Sequence, residues 1–115
     1  QVLAEKATTL YTTVTKTATA SAEVSDVTLW DPPTGFRFVL QECFFSTEAA
    51  TNIELEVSNV DVVPPIHLGS SGTATVGGSD SPFYFSAIDD ILTYSVTASG
   101  KSVNISIVCR GWEDK

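Results

Sequence analysis

The residues able to do chemistry are few and scattered. His67 is the sole histidine in 115 residues, so a dyad or triad built on an imidazole would have to form around it. No nucleophile motif or orienting acid accompanies it, and a lone histidine following Pro64 and Pro65 reads as a partly exposed loop residue. Zinc requires closely spaced nitrogen and sulfur ligands, which one histidine and two separated cysteines do not supply. Calcium requires clustered oxygens. Asp61, Asp80, Asp89 and Asp90 are the carboxylates that loops could gather, but no calcium-loop spacing is present and Asp89 with Asp90 reads more simply as the cap of a short turn. Asn104-Ile105-Ser106 satisfies a glycosylation sequon, yet its apolar surroundings predict a mid-strand position unsuited to a glycan. Aromatic side chains remain. Trp30, Trp112, Tyr11, Tyr84 and Phe83 can stack on sugar rings or, more commonly, fill a core or an interface. The expectation is a binding protein, not an enzyme, without cofactor or metal.

Cys43 and Cys109 each lie among bulky apolar neighbours in a predicted strand. A disulfide between central strands would suit an oxidising compartment. Buried free thiols, acting as small hydrophobes, are the favoured reading.

Six basic against fourteen acidic residues give a net charge of -8, a field that repels nucleic acid and anionic bilayers. A hydrophobic fraction of 43% with 17% charged residues is globular. No apolar run reaches the roughly 18 residues of a bilayer span, and residues 1–8 lack the order of a signal peptide. The chain starts at Gln1, which suggests a processed or trimmed start. Residues 1–8 are expected to be a flexible segment or arm and residues 9–115 a single domain.

The elements that must position these side chains are strands. Seven threonines between residues 8 and 19 favour a strand over 9–15. Further strands are predicted over 21–30, 36–45, 52–58, 91–98 and 102–112, with weaker ones at 73–76 and 83–85 and one helical turn over 87–90. Ile53, Leu55 and Val57 alternate with Glu54 and Glu56, the pattern of a half-buried antiparallel strand. Pro32, Pro33 and Gly35 mark a corner, and residues 99–101 a hairpin turn. Eight or nine short strands with turns between them predict an all-β, antiparallel two-sheet sandwich: a jelly roll first, an immunoglobulin-like sandwich second. Residues 36–45 are the most apolar, hence central and covered on both faces. Glu42 interrupts them, either because a bulge turns it outward, the commoner case, or because it is paired at an interface.

Leu29-Trp30-Asp31-Pro32-Pro33-Thr34-Gly35-Phe36-Arg37-Phe38-Val39-Leu40 resembles the tryptophan, proline and glycine corner of small structural proteins of tailed-bacteriophage virions. Residues 46–55 are similar to their small-residue turn and following strand. Residues 92–113 are similar to their closing hairpin, which ends here in Trp112-Glu113. Phe36, Glu42 and the two cysteines depart from the usual pattern. The resemblance implies a jelly roll of tumour-necrosis-factor-like type, assembled as a homotrimer on the virion exterior after synthesis in the host cytoplasm. The implied function is capsid decoration, with the major capsid protein as partner. A carbohydrate-binding or host-receptor-binding tip, with host surface carbohydrate as ligand, is the alternative. Candidate subunit or capsid interface residues are Tyr11, Val14, Trp30, Phe36, Phe45 and Trp112. The threonine-rich residues 7–20 would suit an arm that pairs with a neighbour or docks on the capsid.

Overall fold

β-Branched and aromatic side chains, stiff at χ1 and suited to a pleated surface, recur at alternate positions along the chain. In the computed structural model, which describes residues 12–78, 81–98 and 103–115, they form ten strands and, among the described residues, no helix. These are β1 (Val14–Ala20), β2 (Val24–Trp30), β3 (Arg37–Ser46), β4 (Thr51–Val57), β5 (Val60–Asp61), β6 (Ile66–Leu68), β7 (Thr73–Gly77), β8 (Tyr84–Phe85), β9 (Leu92–Ala98) and β10 (Ile105–Asp114). One sheet runs β1-β10-β3-β7 with β8 also beside β3. The other runs β2-β9-β4-β5 with β6 also beside β4. The edge position along β4 is split into β5 and β6, between which Pro64 and Pro65 cannot donate to a ladder. The edge position along β3 is likewise split into β7 and β8. Eight strand positions in two interleaved antiparallel sheets are a jelly roll, the expected architecture.

The chain passes from sheet to sheet at most connections. The corner after β2 carries it from the second sheet to β3 in the first. There Phe36 N–H donates to the Pro33 carbonyl at 2.9 Å. Gly35 takes φ +87°, a conformation that glycine adopts freely, and its N–H donates to Asp89 Oδ1 at 2.6 Å. Three expectations need correction. The first strand lies at Val14–Ala20, later than the predicted 9–15, because its pairing with β10 sets its limits. Residues 87–90 make a turn, with Asp90 N–H donating to the Ala87 carbonyl at 3.2 Å, not a helical turn. β9 and β10 do not pair as a hairpin: β9 lies between β2 and β4, and β10 between β1 and β3. Both strands carry core residues, Leu92, Tyr94 and Val96 in β9 and Ile105, Ile107 and Cys109 in β10, and they contribute them from opposite sheets. Residues 1–8 and 99–101 lie outside the described residues.

The inner faces meet around Trp30, Phe38, Leu40, Phe45, Ile53, Leu55, Leu92, Ile105 and Ile107, each at most 2% exposed. Burial of each such side chain contributes about 1.5–3 kcal/mol. Trp30 stacks on Phe38 with ring centroids 5.4 Å apart, and its Nε1–H donates to Glu113 Oε2 at 2.8 Å. The buried indole is thereby satisfied.

β3 explains its own irregular sequence. Glu42 lies opposite Arg110 but Leu40 lies opposite Gly111, so Gln41 is an extra residue. This bulge switches which parity faces the core. Before it Phe38 and Leu40 point inward; after it Cys43 and Phe45 do. The bulge expected at Glu42 is present, and Glu42 points outward. Gly111 is required there, because a Cβ at this position would overlap the Val39 carbonyl oxygen.

Candidate interaction face

The parity switch puts an unusual set of side chains on the outer face of the first sheet. Across β1, β10, β3 and β7 one row reads Thr17, Val108, Phe44 and Thr75, and the next reads Thr15, Arg110, Glu42 and Gly77. Beyond the bulge, Trp112, Val39 and Phe85 form a third row and Asp114 with Arg37 a fourth. Phe44 and Phe85 are 42% and 51% exposed, and Val108 and Trp112 are half-buried. Val39 is fully buried between its row neighbours. The predicted covering of β3 on both faces therefore holds over 38–40 and fails at Phe44.

Two ion pairs alternate with the apolar rows, one between the Val108–Phe44 and Trp112–Val39–Phe85 rows and one beyond the latter. Arg110 Nη2 lies 2.6 Å from Glu42 Oε1, across β3 and β10. Arg37 Nε lies 2.5 Å from Asp114 Oδ1, and its guanidinium carbon lies 5.1 Å from the Phe85 ring centroid, a cation–π contact. Trp112 Nε1–H donates to Asp114 Oδ2 at 3.0 Å. The hydrogen bond from Arg37 holds the Asp114 carboxyl below the usual carboxylate range, with the Trp112 bond adding to it.

Of the expected interface residues, Trp112 lies on this face. Trp30 and Phe45 are corrected: both are 0% exposed and belong to the domain's own core, because the corner and the bulge turn them inward. Val14 packs at the edge of that core. Phe36 is half-buried beneath the Lys115 ammonium, 5.0 Å from its ring centroid. Tyr11 lies outside the described residues. Phe44 and Phe85 were not anticipated. The outward Glu42 is the signal that could have found Phe44, since two residues on along a strand the side chain returns to the same face.

The outer face of the second sheet is polar and acidic. Carboxylate oxygens of Glu54, Glu56 and Asp61 all lie within 4.8 Å of one another. Repulsion from Asp61 above all pushes the Glu54 carboxyl up. Glu56 accepts a hydrogen bond from Ser95 Oγ at 3.2 Å. His67 is in β6, not in a loop, and one ring nitrogen lies 2.6 Å from Asn52 Oδ1. The loop carboxylates do not converge on a calcium site: Asp61 sits in this cluster, while Asp89 and Asp90 bind the Gly35 and Ala87 N–H groups. Asp80 lies outside the described residues. Asn104 precedes β10 and is exposed, not mid-strand, and its amide donates to Glu48 Oε2 at 2.9 Å.

No protein-family model matches the sequence, and no match to a curated protein reaches significance.

Proposed function

We propose that the chain is a non-enzymatic structural subunit of a bacteriophage virion, a capsid decoration protein that assembles as a homotrimer and binds the lattice of the major capsid protein from outside. The observation that carries this reading is the outer face of the first sheet. A sandwich builds its core from inner faces alone, so Phe44, Phe85, Val108 and Trp112 lining an outer face call for a partner surface. The resemblance of residues 29–40, 46–55 and 92–113 to virion proteins supplies the class of partner and the tumour-necrosis-factor-like type of jelly roll. The acidic second sheet suits the solvent side of such an assembly, where net charge maintains solubility. Binding stabilises the lattice by mass action, since ligation of the assembled state draws the equilibrium away from separated subunits.

The test is the solution mass of the full chain together with its binding to purified capsids lacking it. The expected mass is three times that of the 12.2 kDa chain. Phe44→Asp is expected to give monomers and to weaken capsid binding about tenfold or more, because a truncated central aromatic at an interface has effects of that size. Its effect on unfolding of the monomer should be only about 0.5 kcal/mol, as for other surface substitutions. A wild-type chain that is monomeric and does not bind capsids overturns the proposal.

A second reading, a carbohydrate-binding tip, is favoured by one feature. Trp112 presents a half-buried indole with its N–H already bonded to Asp114, in the same row as Phe85 across Val39. Since Trp30 is 0% exposed, a saccharide-dependent change in tryptophan fluorescence reports on Trp112. Such a change in a monomeric chain would select this reading over the first.

A further inference from the structure

The register of β3 and β10 sets Cys43 directly opposite Cys109. Both side chains point into the sandwich, both are 0% exposed, and both are free thiols. Opposed residues on antiparallel strands have Cα atoms about 4.5–5.5 Å apart, inside the window of roughly 4.4–6.8 Å that a disulfide spans. The Cys109 side chain is also the largest influence on the Cys43 thiol. The register therefore holds the two cysteines within reach of a covalent bond.

We propose that Cys43 and Cys109 are a site of intramolecular disulfide formation, a cross-strand lock on the two central strands of the first sheet, closed by exchange with a small-molecule disulfide. In the first step the thiolate of one cysteine attacks a sulfur of oxidised glutathione. A protein–glutathione bond forms and one glutathione thiolate leaves. In the second step the other cysteine attacks the protein sulfur of that mixed disulfide, the Cys43–Cys109 bond forms, and the second glutathione leaves. Two protein thiols are oxidised, one disulfide is reduced to two thiols, and the two protons end on the departing glutathiones. A chain folded in a reducing compartment holds the thiol form, and transfer to an oxidising one supplies the reagent.

Burial dictates when the exchange occurs. The adjoining Cys109 thiol and the apolar surroundings push the Cys43 thiol up, so the reactive thiolate is scarce in the closed sandwich. The oxidant reaches the sulfurs before the sheets close or when they part. Once formed, the bond encloses β4 through β9 in one loop and constrains the unfolded chain. It also fastens the strands that present Phe44, Glu42 and Arg110 on their other face. None of this depends on the identity of the partner that covers that face.

The experiment compares the full chain incubated with oxidised glutathione in the native state and while unfolded, then refolded. Readouts are intact mass, thiol titration in denaturant, non-reducing electrophoresis and the melting midpoint. The expected result is slow closure in the native state and ready closure from the unfolded state. The closed product should be monomeric on the gel, have lost two hydrogens and retain no free thiol. Its melting midpoint should rise by about 10 °C or more for a loop of this size, and dithiothreitol should reverse the rise. Cys109→Ala, or the near-isosteric Cys109→Ser should the first not fold, removes both closure and the rise. Stable mixed disulfides without closure, disulfide-linked dimers alone, or a closed chain that melts lower than the reduced one overturns the proposal.

Discussion

Most of the residues that looked chemically capable are committed to holding the chain in place. Asp89 and Asp90 satisfy the N–H groups of Gly35 and Ala87, Glu113 satisfies the buried indole of Trp30, and Glu48 holds Asn104. A carboxylate beside an unpaired backbone donor stabilises a turn that would otherwise leave that donor unpaired. The residue with the least chemistry is among the most constrained. Gly111 lies where the bulge presses the β3 backbone against β10, and any Cβ would meet the Val39 carbonyl. Gly111→Ala is expected to cost about 2–3 kcal/mol, the scale of overpacking in a closed core. Its urea midpoint beside that of wild type measures this, and an unchanged midpoint would remove the close approach as the reason for glycine.

Among the elements, β4 was the most legible, because Ile53, Leu55 and Val57 alternate with Glu54 and Glu56 along its whole length and each points as the alternation requires. β3 was the least legible. Its inward residues are Phe38, Leu40, Cys43 and Phe45, a set no single period of two contains. Gln41 supplies the change of phase. Deleting Gln41 would restore strict alternation and force either Phe38 and Leu40 or Cys43 and Phe45 to the outside. Since exposing each large core side chain forfeits about 1.5–3 kcal/mol and the deletion turns out two of them, the deletion variant should lose its cooperative unfolding transition in circular dichroism. A deletion variant with a native transition would show that the bulge does not set the faces. β1 was misplaced for a related reason: threonine content marks a strand but not its ends, which follow from pairing Val14 with Gly111 through Ala20 with Ile105.

At the scale of the molecule the two outer faces differ in kind, one aromatic with two arginine ion pairs, the other acidic. That difference predicts a pH dependence. Glu54 has a raised folded pKa, so its folded form binds protons before the unfolded chain does, and stability rises as pH falls from neutral into the carboxylate range. Asp114 has a lowered folded pKa, and its contribution is present above the ordinary carboxylate pKa and lost as pH falls below it. Urea midpoints across a pH series should therefore pass through a maximum on the acid side of neutrality. Glu54→Gln should flatten the rise and Asp114→Asn the fall. A monotonic decline from neutral pH that Glu54→Gln leaves unchanged would exclude the acidic cluster as a source of strain.

The sequence by itself determined the all-β class, the number of strand positions, the two-sheet architecture, the bulge near Glu42 and the inward placement of both cysteines. Each of these is written in local alternation and turn chemistry. Tertiary structure alone decided that β9 and β10 enter different sheets, that Trp30 and Phe45 are core while Phe44 and Phe85 are surface, and that Cys43 faces Cys109. These follow from register between strands distant in the chain: the phase of β3 depends on a glycine in β10, and alternation within one strand carries no information about the backbone that will lie beside it.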